Sequence, residues 1–261
     1  MGADADDGAD RTDQTGQPGQ GAGRQVEIDP TIFRSREDRT SRLVPEAREL
    51  VQTLNRRAVR SGRLSPLPYN LTISHEKKFV YFEVAKAATR TVTYHFAAQD
   101  FTLDVRGALR VRYPTAAFAD YRSFTIVRQP QDRFVSAWRN KVVDANYYKF
   151  DDATHAQMQD LASFVGWAAD HDLADLETTD QHLVLQSRLV DLNHVQMIGR
   201  VESFDEDFPR ICRAIGVDPP PDRPRRLNAS DGPPPELSRT VSDRIVELYR
   251  RDFEVFGYTP T

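Results

Sequence analysis

The chain has little of what usually announces a function at first reading. A single cysteine, Cys212, stands among 261 residues, so no intramolecular disulfide can form, which fits a reducing compartment. It lies in Asp207-Phe-Pro-Arg-Ile-Cys-Arg-Ala-Ile-Gly-Val217, a helical pattern, and reads as a buried core thiol. No apolar run approaches the roughly 18 residues of a membrane helix. The opening Met1–Asp10 has neither a basic n-region nor an apolar h-region, so no secretory signal is expected. Gly2 alone is a weak myristoylation signal, because the Asp-rich start repels an anionic leaflet. Neither sign of charge dominates: the net charge is −4, which does not suggest a nucleic-acid binder. A glycine-rich loop ending in Gly-Lys-(Ser/Thr) is missing, which argues against a P-loop kinase. Tight His/Asp metal-ligand spacing is missing too, and no metal is expected.

What is present is enough for one α/β domain with a tail. Hydrophobic residues make up 39% of the chain, sufficient for a core. Residues 1–28 are Gly, Asp, Gln and Ala with almost no large apolar side chains, and are expected to be a disordered acidic tail. Residues 29–261 are expected to form a single domain. It opens with a basic helical segment at 29–63, where nine arginines face four acids between 31 and 63. Leu43, Val44, Leu50, Val51 and Leu54 give that segment a partial apolar stripe. Its arginines read either as a solvated face or as a contact for an anionic substrate or partner.

From residue 77 the pattern alternates. Lys77–Val84 is β-branched and aromatic and predicts a buried strand, followed by a short polar loop and a helix over 91–98. Residues 99–121 read as loop and short elements. Ser123–Arg128 predicts a second strand. Pro130 suits the first turn of the helix that follows, through 132–141. Helices are expected at 158–170, 179–190, 205–215 and 238–253, and a third strand at 195–200. Strands alternating with helices imply an α/β fold with a mainly parallel sheet flanked by helices.

Two strand-to-helix junctions carry the chemistry. The first, Ala85-Lys-Ala-Ala-Thr-Arg-Thr91, places Lys86, Thr89, Arg90 and Thr91 at the start of a helix. There, unpaired backbone N–H groups and a partial positive charge favour a phosphate-like anion. Taken alone, it could equally be an ordinary loop with a solvent lysine. The second puts Arg128 at the carboxyl end of a strand, where ligands bind in open α/β sheets, and Ser136 in the following helix. One cation and one hydroxyl can grip a second phosphate. Arg133 could instead pair with Asp132 or Asp144.

Together the junctions resemble the sulfotransferase superfamily that uses 3′-phosphoadenosine 5′-phosphosulfate (PAPS). In that family a lysine loop after the first strand binds the 5′-phosphosulfate, and an arginine and a serine spaced like Arg128 and Ser136 bind the 3′-phosphate. Val84-Ala-Lys-Ala-Ala-Thr-Arg-Thr91 is similar to the first motif, and Phe124–Lys141, ending Ser-Ala-Trp-Arg-Asn-Lys, to the second. The second, with Asp180-Gln-His182, Ile198-Gly-Arg-Val-Glu202 and Tyr249–Tyr258, resembles the carbohydrate branch that includes the chondroitin 4-O- and HNK-1-type enzymes. The likeness runs over 74–258. Ala85 stands where a proline is usual, and Arg90 where the position is usually small or hydroxylic. Golgi members carry anchors and disulfides. Their absence here makes a cytoplasmic, bacterial-type relative the expectation.

The resemblance implies a P-loop-like sulfotransferase fold and a reaction in which a sulfuryl group passes from PAPS to a hydroxyl, leaving adenosine 3′,5′-bisphosphate. The acceptor would be a small molecule or glycan. Lys86 would steady the leaving oxygen, and backbone N–H groups at Ala87, Ala88, Thr89, Arg90 and Thr91 with the two threonine hydroxyls would hold the sulfuryl oxygens. Arg128 and Ser136 would bind the 3′-phosphate. The base that takes the acceptor proton is His182 by the motif match, with His95 and Glu83 as alternatives. Gln186 would orient substrate or base. A nucleotide- or polyanion-binding scaffold without chemistry is the competing reading.

Overall fold

The structure, a computed structural model, describes residues 45–221 and 235–260. The expected acidic tail, the first part of the basic segment and residues 222–234 lie outside the described residues. The basic segment continues as helix α1 (Pro45–Arg60), on which Leu50 and Leu54 are both exposed.

Five strands form one sheet: β1 (Tyr69–Ser74), β2 (Phe79–Phe82), β3 (Val105–Val111), β4 (Arg122–Val127) and β5 (Met197–Arg200), in the order β3-β1-β2-β4-β5. β2, β4 and β5 pair in parallel, while β1 pairs antiparallel with both β2 and β3. β1 therefore runs against the other four strands. Phe79-Val-Tyr-Phe82 is buried throughout, as a central strand covered on both faces must be, which is why it reads as an unbroken apolar run.

Two of these strands are not in the sequence reading. In β1 the apolar Tyr69, Leu71 and Ile73 alternate with Asn70, Thr72 and Ser74, and all six are buried. The polar face is satisfied internally. Asn70 donates to Gln181 and accepts the Arg110 amide, Thr72 donates to Glu83 and accepts the Gly107 amide, and Ser74 donates to the Thr102 carbonyl. β3 bulges against β1, with Gly107 and Arg110 at positive φ. That irregularity hides its period.

Helices cover both faces. On one, α2 (Thr89–Ala97) and α7 (Phe204–Ala214) set Val92, Phe96, Phe204, Phe208 and Ile211 against Phe79, Tyr81, Phe124 and Ile126. Cys212 is buried in this layer, as expected, and burial pushes its thiol up to about 12. Gly199 is required by close approach: a Cβ there would lie 2.6 Å from Ile126 Cδ1. On the other face, Val80, Phe82 and Val84 meet Tyr113, Leu176, Val184, Leu189 and Val190.

A third core is helical. It joins α3 (Pro130–Trp138), α5 (Leu161–Ala169) and the pair α8 (Arg239–Leu248) and α9 (Arg250–Phe256), through Phe134, Phe164, Val165, Ile245, Tyr249 and Phe253. The expected helix over 158–170 is α5, which Asp160 starts by accepting the Ser163 amide, and a further short helix, α4 (Asp152–Met158), precedes it. The expected 179–190 helix shrinks to the single turn α6 (Gln186–Leu189). The final helix divides at Tyr249.

Candidate active site

β2 delivers the first junction at the edge of the two-faced core. The chain leaves Phe82 and turns sharply, with the Ala87 amide donating to the Val84 carbonyl at 3.2 Å. Lys86 and Ala88 adopt left-handed backbone, φ 68° and 60°. Neither is glycine, and such residues are held there against a local cost of about 1 kcal/mol or more. Thr89 Oγ1 donates back to the Val84 carbonyl at 2.8 Å and braces the loop. α2 then begins with no side-chain cap and no acid in its first turn. By contrast, α3, α4 and α7 each carry at least one acid there. Such a helix start can favour an external anion through its amides and the positive end of its dipole.

Cations gather at this mouth. Burial lowers the Lys86 ammonium to about 8, and Lys141, Arg128 and Arg90 push in the same direction against the opposing charge of Asp144. Four cations from two junctions and the turn after α3 therefore share one field. Lys141 sits in a π-helical turn, Arg139–Val143, and its Nζ stands 3.9 Å from the centre of the Tyr147 ring. Such a wide turn often marks a functional site, because it re-aims the side chains that follow. Burial lowers the Lys141 ammonium as well.

The second junction is framed by protein groups. Gln186 Oε1 accepts the Arg128 amide at 2.9 Å and its Nε2 donates to the Arg128 carbonyl at 2.7 Å. The Gln129 amide donates to Glu202 Oε1 at 2.8 Å, and the Gln129 side chain caps α3 by accepting the Asp132 amide. Tyr258 donates to Glu202 Oε2 at 2.9 Å, and the Arg200 guanidinium lies over the Tyr258 ring. The Gly-Arg-Val-Glu and Phe-Gly-Tyr segments thus close around the turn after β4. Ser136 lies on α3, largely buried.

His182 is in a turn and does not open a helix. Its Nδ1 lies 2.7 Å from Asp180 Oδ1, and Tyr147 donates to Asp180 Oδ2 at 3.1 Å. Burial raises the Asp180 carboxyl, but the hydrogen bond and charge of His182 outweigh this and hold it below its usual range. An ionised carboxylate only accepts, so the pair fixes the proton on Nδ1 and leaves the Nε2 lone pair to receive another. Burial is also the largest influence on His182 and keeps its pKa below the ordinary value, despite Asp180.

Other expectations fare differently. His95 is turned to the Asp218 carbonyl, 2.8 Å from Nε2, and packs on Phe208. Glu83 faces β1, accepting from Thr72 Oγ1 at 2.5 Å, and burial raises it to about 7. Gln186 holds the Arg128 backbone with both ends of its side-chain amide. Arg133 pairs with neither Asp132 nor Asp144, and its guanidinium is spent on backbone carbonyls. Asp180, Tyr147 and Lys141 were given no role from sequence, although Asp180 and Lys141 fall within the motifs quoted.

The lysine loop and the second cation-bearing junction follow β2 and β4, adjacent parallel strands, at the strand ends where open α/β sheets bind ligands. Residues 69–259 match the model described as the sulfotransferase family, and the chain belongs to that family. Sulfuryl transfer is the chemistry of the family, which generally uses PAPS as donor. No curated protein and no solved structure gives a match. Among the described residues no helix is long and apolar enough to cross a membrane. No group of three or more His, Cys, Asp and Glu among them could hold a metal ion.

Proposed function

We propose that this chain transfers the sulfuryl group of PAPS to a hydroxyl of a carbohydrate or glycosylated metabolite in the cytoplasm. The observation that carries the reading is the lysine loop: left-handed at Lys86 and Ala88, acid-free at the helix start, and lying in the joint field of Arg90, Arg128 and Lys141. PAPS supplies a sulfur atom whose bond to the 5′-phosphate oxygen breaks as the acceptor oxygen attacks in line. Lys86 stabilises the charge growing on that leaving oxygen, a role typically worth about 3–4 kcal/mol. Thr89, Arg90 and Thr91, with the amides from Ala87 to Thr91, hold the sulfuryl oxygens, Ala87 least because its N–H already turns back to Val84. Arg128 and Ser136 take the 3′-phosphate. His182 Nε2 accepts the acceptor's proton while Asp180 steadies the imidazolium.

The test is differential binding. Adenosine 3′,5′-bisphosphate should raise the melting temperature through linkage, and AMP far less, because Arg128 and Ser136 then have no 3′-phosphate to hold. Equal shifts from both nucleotides sink the assignment. Incubation with PAPS and a panel of oligosaccharides, glycolipids and glycosylated natural products, read by mass for the gain of one sulfate, identifies the acceptor.

A further inference from the structure

Arg133 is 1% exposed, and its guanidinium bridges two loops that the fold brings together from distant parts of the sequence. Nε donates to the Ala85 carbonyl at 2.9 Å, immediately before Lys86. Nη1 donates to the Val184 carbonyl at 2.9 Å and Nη2 to the Gln181 carbonyl at 3.0 Å, on either side of His182. None of the three acceptors is a carboxylate. Asp252 and Asp180 act on it only from longer range. A buried cation without a contact counter-ion is an expensive way to fill space, and an apolar side chain of similar volume would serve stability better. What the guanidinium supplies is a planar fork whose N–H directions are fixed, so both loops are held to one rigid template.

The histidine side of the bridge is itself anchored. Tyr249 donates to the Leu183 carbonyl at 2.6 Å, and Asp252 accepts the Gln186 and Ser187 amides at 2.7 and 2.9 Å. Asn70 of β1 donates to Gln181 Oε1 at 2.7 Å. With the 181–187 segment pinned to the helical core, Arg133 links that segment to the lysine loop by direct hydrogen bonds.

We propose that Arg133 is a positioning residue that sets the separation between the lysine at the leaving oxygen and the histidine at the attacking one, coupling occupancy of the lysine loop to order in the 181–187 segment. This rests on the roles assigned above to Lys86 and His182. Attack and departure occur on opposite sides of one sulfur atom. A displacement of about 1 Å between the two groups is of the size that costs about a hundredfold in rate.

The test uses adenosine 3′,5′-bisphosphate as the probe and hydrogen exchange as the readout. The amides of Leu183 and Val184 donate to the Asp180 carbonyl and that of Leu185 to the Leu173 carbonyl, so each reports on the histidine loop. Gln186 is left out because it also touches Arg128. In the unmodified protein the nucleotide should slow exchange at these amides at least about tenfold. In Arg133→Lys, whose single ammonium cannot span three carbonyls, the nucleotide should still raise the melting temperature while protection at 183–185 is lost. With the acceptor found by mass, kcat should fall about fiftyfold or more and the KM for PAPS change less than about threefold. Arg133→Met is the second variant. If neither folds, the unmodified protein decides, and no protection at 183–185 overturns the proposal. Retained remote protection and turnover in a folded variant overturn it as well. If the nucleotide gives no thermal shift in the unmodified protein, the donor reading fails and the bridge falls with it. If His182→Ala keeps full turnover, only the base is misassigned, and exchange still judges the bridge.

Discussion

After β2 the chain enters α2 through left-handed Lys86 and Ala88 with no side-chain cap, whereas after β4 it enters α3 through Gln129, which caps the helix, and Pro130. At the second turn both backbone groups of Arg128 and the amide of Gln129 are taken by Gln186 and Glu202. At the first, the leading amides of α2 have no such partners in the fold's design. The two turns therefore offer different things to one nucleotide. The first can present backbone N–H groups to charge that moves during reaction. The second has spent its backbone on rigidity and can offer only side chains, which suits charge that stays put.

This contrast can be broken by substitution at each side. Lys86→Ala should lower kcat at least about a hundredfold, since a donor felt mainly in the transition state is lost. Arg128→Ala should act chiefly on the KM for PAPS and shrink the thermal shift given by the 3′,5′-bisphosphate. Steady-state kinetics on both variants decides. If the two swap behaviour, the division of labour is wrong.

The pH profile sharpens it. Burial holds Lys86 near about 8 in the free protein. Its useful charge is present below that value and fades above it, so kcat/KM should fall on the alkaline side. Binding the anionic donor should raise the ammonium's pKa, so kcat should hold to higher pH than kcat/KM. His182 must be neutral to take a proton, so the acid limb should lie below the ordinary imidazole value. His182→Ala should abolish that limb and cut kcat by roughly 10²–10⁴. A persistent acid limb moves the base elsewhere.

The smallest effect concerns Glu83, at the strand end just before the lysine loop. Its carboxyl is raised to about 7 by burial from an ordinary value of 4.5. The neutral acid is favoured in the fold, so the fold loses stability as pH rises between those two values. Glu83→Gln should therefore melt higher than the parent at pH 8, by about 2–4 °C for each kcal/mol relieved, and no higher at pH 4. Turnover should be nearly unchanged. A dead Glu83→Gln with normal melting would make this carboxylate the base.

How far the sequence could be read depended on where each element's partners lie. β2 and β4 were legible because a strand buried on both faces is apolar along its length. β1 was not, because Asn70, Thr72 and Ser74 are buried against partners more than ten positions away, such as Glu83 and Thr102. The helix expected over 179–190 failed for a similar reason. Its backbone carbonyls accept from Arg133 and Tyr249 and its amides donate to Asp252, all on other helices, and local pattern cannot report that. Lys86 and Arg128 stand out in the sequence because each sits at an element boundary, where sequence marks are strong. Tyr147 and Asp180 do not, since their contact forms only once the turn after α3 faces the histidine loop.

The order in which the chain is made gives the Tyr258–Glu202–Gln129 contact a further consequence. Sheet strands β1 to β5 are all synthesised before Tyr249, Asp252 and Tyr258. Until those three residues arrive, the turn after β4 lacks one of its braces and the histidine loop lacks two. A sheet formed early is thus only partly braced at that turn and that loop, and residues made later complete the bracing.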